Sequence, residues 1–208
     1  MKSSFHSTAE ILTDFKQGHM VILVDDEDRE NEGDIIIAAD FVTAEAINFM
    51  SKNARGLICL ALHPDQVDRL KLPQMVSEEK NSSPNKTAFT VSIEASIGVT
   101  TGISAHDRAL TVRAASNPLA KPSDVQMPGH IFPIRSQKNG VLARNGHTEA
   151  GVDLAILSGL NPAAVICEVI NDDGTMARVS DLLKFAERFQ IKVGTIKDLV
   201  SFRKSNNL

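Results

Sequence analysis

Ten consecutive residues, Asp25-Asp26-Glu27-Asp28-Arg29-Glu30-Asn31-Glu32-Gly33-Asp34, hold seven acids and a single arginine. Clustered carboxylates repel one another and resist burial, so such a run on its own is a solvated loop or tail. Its flanks deny it that freedom. Val21-Ile22-Leu23-Val24 leads in and Ile35-Ile36-Ile37-Ala38-Ala39 leads out, and both read as short apolar strands. Acids held between two buried strands are confined to a strand end, where side chains converge and hard cations bind. Any fold for this chain therefore sets a dense negative loop against its core.

The rest of the chain alternates strands and helices without an internal repeat. Thr43 caps a helix running through Ala46, Ile47 and Met50 and stopping near Gly56. Residues 57–62 form a continuous apolar strand, covered on both faces and ended by His63-Pro64, and a short helix follows through Val67 and Leu70. Residues 73–86, rich in Ser, Asn, Pro and charge, read as a mobile surface loop. Phe89, Val91 and Ile93 alternate with Thr90, Ser92 and Glu94, the pattern of a half-buried strand. Ser104 with Asp107 resembles a capping box, opening a helix that ends by Asn117-Pro118.

Beyond the Pro- and Gly-containing linker 121–129, residues 130–134 read as a strand and 148–158 as a helix, stopped by Gly159 and Asn161-Pro162. Residues 165–170 are an apolar strand interrupted by Glu168. Ser180 caps an amphipathic helix through Leu183, Ala186 and Phe189, followed by a strand at 191–193 and a terminal helix. No compositional break divides the chain. The expectation is a single α+β domain over residues 1–208, with a mixed β-sheet and helices packed on both faces in three layers.

Composition narrows the function. The formal net charge is −4 and no basic stripe offsets the acidic run, which argues against a nucleic-acid partner. No apolar run approaches the roughly 20 residues needed to span a bilayer, and Met1 to His6 lacks the apolar core of a signal peptide. Cys59 and Cys167 lie in apolar strand-like runs, the setting of buried reduced thiols, and two isolated cysteines cannot form a thiolate zinc site. A cytoplasmic location is expected.

A calcium hand needs Gly at loop position six and Glu at position twelve. Counting from Asp26 puts Asn31 and Ile37 there, and counting from Asp28 puts Gly33 and Ala39 there, so that reading fails. Magnesium suits the loop better, because it needs one or two protein ligands and fills the rest with water or substrate oxygen.

Three more features offer parts of the same site. Arg144-Asn145-Gly146-His147-Thr148-Glu149 is a turn opening a helix, where free N–H groups favour an anion and a neutral His147 could ligate metal. Taken alone, Thr148 reads equally well as a plain cap and His147 as a surface residue. Residues 98–104, rich in Gly and hydroxyls around Thr101, precede another helix start, a weaker signal of the same kind. Glu168 inside an apolar strand is either ion-paired or a candidate general acid or base. His130, after a Pro-Gly turn, could move protons near neutral pH, whereas His6, His19, His63 and His106 read as structural or surface residues.

Together, residues 24–34, 100–108, 128–132, 144–149 and 171–178 resemble the 3,4-dihydroxy-2-butanone 4-phosphate synthase family over nearly the whole chain. The resemblance implies a carbon–carbon lyase of riboflavin biosynthesis that converts D-ribulose 5-phosphate to L-3,4-dihydroxy-2-butanone 4-phosphate and formate through a metal-stabilised enediolate. It assigns Glu30 and His147 to a divalent metal, Mg²⁺ or Mn²⁺ with up to two ions per site. Substrate contacts fall to Arg29, Glu30, Asp34, Thr101, Arg144, Asn145, Gly146, His147, Thr148 and Glu168, and catalysis to His130 and Glu168. It also implies a homodimer with active sites at the subunit interface and a monofunctional form without a GTP cyclohydrolase II domain. Because so negative a loop repels an anionic substrate unless metal, Arg29 and Arg144 offset it, the loop is expected to be mobile alone and to close over metal and substrate. The rival readings are a metal-dependent sugar-phosphate aldolase or isomerase, and a non-enzymatic module that binds ions or protein through the loop alone.

Overall fold

Four strands of the chain are covered on both sides, and that burial decides the architecture. In β1 (Val21–Val24) all four residues are buried, with Ile22 and Val24 in one apolar core and Val21 and Leu23 in the other. β2 (Gly33–Ala38), β3 (Cys59–Leu62) and β6 (Ala163–Glu168) divide their side chains in the same way. The computed structural model describes residues 5–208. Residues 1–4, the start of the segment read for a signal peptide, lie outside the described residues.

With β4 (Ile93–Ala95), β5 (Val125–Arg135) and β7 (Lys192–Thr195), the strands form one seven-stranded sheet in the order β4-β5-β3-β6-β2-β1-β7. β1 with β7 and β3 with β5 run parallel, and the other neighbours are antiparallel. One face carries α2 (Ala44–Phe49), α3 (Pro64–Leu70), α4 (Ala105–Ser116) and α6 (Val179–Phe189), which bury Ile47, Leu70, Val112 and Leu182 against Ile35 and Leu60. The opposite face carries α1 (Thr8–Lys16), α5 (His147–Leu157) and α7 (Ile196–Ser205), which bury Phe15, Ala155 and Leu199 with Leu23 and Ile36. This is the three-layer α+β arrangement expected from the strand–helix alternation. Among the described residues no helix is long and apolar enough to cross a membrane.

Local details depart from the sequence expectations for identifiable reasons. α1 lies before the first element read from the sequence; it is opened by a Ser7–Glu10 capping box and buries only Thr8, Ile11 and Phe15. The alternation at residues 89–94 does not make a strand of that length. Thr90 is buried with its hydroxyl near the Pro133 carbonyl, Glu94 is buried beside His130, and only 93–95 pair as β4. The linker 121–129 is instead a 3₁₀ turn at Pro122–Asp124 and then the first half of β5, which pairs there with β4. Arg178, not Ser180, is the N-cap of α6, and its backbone N–H is bound by the Asp181 carboxylate. Gly146, not Thr148, is the N-cap of α5.

The topology brings the functional pieces to one end of the sheet. The acidic run is the connection between β1 and β2, so Val24 faces Gly33 across the ladder. One strand further, Asp34 on β2 lies opposite Glu168 on β6. α5 lies close on this part of the sheet because Gly151 has no side chain; a Cβ there would be 3.0 Å from Ala164 Cβ. Phe15 is fully buried and anchors α1 to the same core. Phe15→Ala is expected to destabilise the protein by about 3–5 kcal/mol in urea unfolding, and a loss below about 1 kcal/mol would show that α1 is not part of the cooperative fold.

Candidate functional site

His147 is the first residue of α5 and is 6% exposed. Its Nε2 lies 3.2 Å from the Leu23 carbonyl oxygen, which accepts the Nε2 proton and fixes the ring. Nδ1 is thereby turned toward the acids: Glu30 Oε2 is 3.8 Å away and Asp34 Oδ1 3.7 Å. Asp25, Glu30 and His147 each offer a ligand atom within 4.8 Å of the others.

Asp34 is 3% exposed, and among the described residues its Oδ1 has no hydrogen-bond partner. A buried carboxylate without a partner is costly. Burial raises its pKa to about 7, with Glu168, Glu30 and Glu32 pushing the same way and His147 opposing. Burial also resists charge on His147, but Asp34, Glu30 and Asp25 more than offset that and raise the ring to about 9. Glu30, beside His147 and Arg29, falls to about 2 against the opposing effect of burial. Three carboxylates and an imidazole with one orphaned oxygen fit a hard, oxygen-preferring divalent cation.

Asp25 organises the loop. Its Oδ2 accepts from Arg29 Nη1 at 2.7 Å and from the Glu30 N–H at 3.1 Å, and its Oδ1 accepts from the Glu32 N–H at 2.8 Å. These bonds fold the acidic run back on itself and aim Glu30 at His147. Arg29 also donates to Glu30 Oε2 at 2.6 Å.

A candidate anion subsite adjoins the acidic cluster. Gly146 has no side chain to cap α5, so the helix start keeps its positive end for a ligand. Two guanidinium groups converge there: a Cβ on Gly146 would lie 2.3 Å from Arg144 Nη1 and 3.0 Å from Arg29 Nη2. Arg144 is held by Glu149 Oε2 at 2.6 Å, Thr87 Oγ1 at 3.1 Å and the Asn85 carbonyl at 3.2 Å. A cavity of about 190 Å³ joins both subsites, lined by Arg29, Arg144, Thr148, Asp34, His147 and Glu168 among others.

Glu168 reaches this cavity from the end of β6, half-buried rather than sealed in the strand. Its Oε2 accepts the Leu57 N–H at 2.8 Å, and Gly56 allows that approach because a Cβ there would be 2.6 Å from the same oxygen. Asn145 is exposed beside the anion subsite. Thr101 and His130 do not line the cavity. They sit at the β4–β5 edge, where His130 Nδ1 is 2.9 Å from Glu94 Oε2 and Thr101 lies in the turn before α4.

Sequence reasoning also missed partners. Asn85, in the segment read as a mobile loop, donates from Nδ2 to Glu30 Oε1 at 2.6 Å. Thr87 and Asn85 reach Arg144 from 57 and 59 residues away in the chain, and no local pattern signals such a contact. Asp25 was legible only as one acid of many, although its place at the end of β1 marks it as the one turned inward.

Residues 9–202 match the family model described as 3,4-dihydroxy-2-butanone 4-phosphate synthase. The chain belongs to the 3,4-dihydroxy-2-butanone 4-phosphate synthase family. A 3,4-dihydroxy-2-butanone 4-phosphate synthase from Neisseria meningitidis serogroup A is 63% identical over 194 residues, which are 93% of this chain and 53% of that protein. A two-domain synthase from A. baumannii superposes with a TM-score of 0.91 at 52% identity, covering 95% of this chain and 58% of its own. A synthase solved in complex with two magnesium ions gives a TM-score of 0.92 at 44% identity, covering 97% and 99%. The chain spans about half the length of the curated relatives it matches.

If the synthase-family cage takes a cation at Nδ1 of His147, the proton that holds the ring charged up to about pH 9 must leave. Mn²⁺ affinity is therefore expected to rise from pH 6 toward pH 9, with proton release visible as calorimetric heats that depend on buffer ionisation. Affinity that stays flat over this range would remove His147 from the coordination shell.

Proposed function

We propose that the chain converts D-ribulose 5-phosphate to L-3,4-dihydroxy-2-butanone 4-phosphate and formate, supplying the four-carbon unit of riboflavin biosynthesis. The observation that carries this reading is the juxtaposition of the acidic cage and the Arg29–Arg144 subsite in one cavity. A sugar phosphate is an anion with neighbouring oxygens that chelate a hard cation, and the cavity offers a place for each end. Membership of the synthase family supports the same reaction.

In this reading Arg29, Arg144, Thr148, Gly146 and Asn145 take the phosphate end. Glu30 and His147 hold Mg²⁺ or Mn²⁺, with Asp34 beside them, and the acid-rich surroundings accommodate a second ion. The cation neutralises the negative oxygens that develop when a proton leaves C3. Glu168, fixed at Oε2 by the Leu57 N–H, takes and returns protons at the sugar carbons. The C1 hydroxyl departs as water, the skeleton rearranges, and water returns as C4 leaves as formate, so atoms balance between substrate and the two products. Closure of residues 25–34 over cation and substrate excludes bulk water.

His130 and Thr101 enter this scheme from a second copy of the chain. Two observations support a homodimer with shared sites: neither residue lines the cavity of its own chain, and Ile97 and Ile103, a few residues from Thr101 in the chain, are exposed. A cytoplasmic location accords with two buried free thiols.

Ribulose 5-phosphate labelled with ¹³C at C4, incubated with Mg²⁺ and followed by carbon NMR, tests the reaction. Labelled formate is expected with Mg²⁺ and not with EDTA, and Glu30→Gln is expected to lower the rate about 100-fold or more. Label retained in a sugar phosphate would make the chain an isomerase or aldolase instead.

A further inference from the structure

Glu94 is a buried acid outside the cavity, 6% exposed on an edge strand of the sheet. Its Oε2 is 2.9 Å from His130 Nδ1. Its Oε1 is buried and, among the described residues, has no hydrogen-bond partner. That oxygen is pressed against Gly102, in the turn that carries Thr101: a Cβ on Gly102 would fall 2.0 Å from it, and the backbone there has φ +90°. The turn is rigid, because Asp107 accepts from the Thr100 N–H and hydroxyl and from the Gly102 N–H at 2.7–3.0 Å. The hydroxyl bond from Thr100 is the main reason the Asp107 carboxyl stays well below the usual carboxylate range. Glu94 is thus confined between a fixed turn and one imidazole. A buried carboxylate retained without a second partner needs a reason other than stability.

We infer that Glu94 is a positioning residue for His130, holding its Nδ1–H so that Nε2 is presented outward as the proton-accepting nitrogen. The His130 side chain is 43% exposed, and among the described residues its Nε2 makes no hydrogen bond. The buried acid therefore selects one tautomer and one ring orientation, as a carboxylate behind a working histidine does in other enzymes. Gly102 is part of the device, since any side chain there would displace the acid. The importance of this for turnover rests on the proposed role of His130; the tautomer itself does not.

The test uses the full chain labelled with ¹⁵N-histidine, wild type against Glu94→Gln and Glu94→Leu, with thermal unfolding to confirm that each variant folds. In wild type above pH 8 the His130 nitrogens are expected to report the Nδ1–H tautomer. Glu94→Leu should shift that population toward Nε2–H, while Glu94→Gln, which keeps a hydrogen-bonding oxygen, should largely retain it. In formate release Glu94→Leu is expected to lower kcat about 10- to 100-fold, with KM for ribulose 5-phosphate and Mn²⁺ affinity within about twofold of wild type. An unchanged tautomer and kcat in Glu94→Leu overturns the inference, as does a loss shared equally by kcat, KM and Mn²⁺ affinity. A fully active His130→Gln would instead overturn the role of His130, and with it the catalytic half of the inference. An inactive His130→Gln beside a fully active Glu94→Leu would overturn the inference alone.

Discussion

Asp34 and His147 face each other at 3.7 Å in a place where neither is solvated. Much of the site geometry depends on that pairing. Asp34 is fixed by the β2 ladder between β1 and β6, and His147 by the start of α5 and by its bond to the Leu23 carbonyl. The sheet fixes the backbone of one residue and the helix start that of the other. Burial lifts Asp34 while the His147 charge opposes that rise, and Asp34 with Glu30 and Asp25 lifts His147 against its own burial. An arrangement this expensive in the absence of a ligand is suited to a site that receives a cation.

The proposed reaction asks the same end of the sheet to accept an anion as well, and the chain separates positive from negative groups in space. Asp25 gathers the loop amides and Arg29 inward, so that the acidic run presents Glu30 to the cage and a guanidinium to the α5 start. Arg144, braced by Glu149, completes the positive side. Asn85 then links the halves, donating to Glu30 while its carbonyl holds Arg144. The negative loop is therefore compatible with an anionic substrate, because its charge is spent on the cation side.

The layer architecture was legible because both-face burial writes itself into sequence as unbroken apolar runs, as at Ile35-Ile36-Ile37. Helix starts were legible where the cap is a side chain, as at Thr43 and Ser104, and misread where it is not, as at Gly146 and Arg178. α1 escaped notice because three buried residues suffice to dock it. Within the site, the clustering of Glu30 and Asp34 with His147 was readable because unusual chemistry is packed into short segments. Asn85 and Thr87 were not, since their relevance comes from tertiary contact across more than 50 residues. The apolar setting of Glu168 suggested burial, but its place at the strand end leaves it partly open beside the cavity. His130 and Thr101 stand apart from the cavity of their own chain, a separation no linear pattern encodes.

The central claim is that His147 Nδ1 belongs to the coordination shell of a divalent cation. Electron spin echo envelope modulation of Mn²⁺ bound to the full chain tests it most directly, because modulation from a directly coordinated imidazole nitrogen is diagnostic. Wild type is expected to show that nitrogen coupling and His147→Gln to lose it. Tightly bound Mn²⁺ with no nitrogen coupling in wild type would contradict the claim and move the cation to the carboxylates alone.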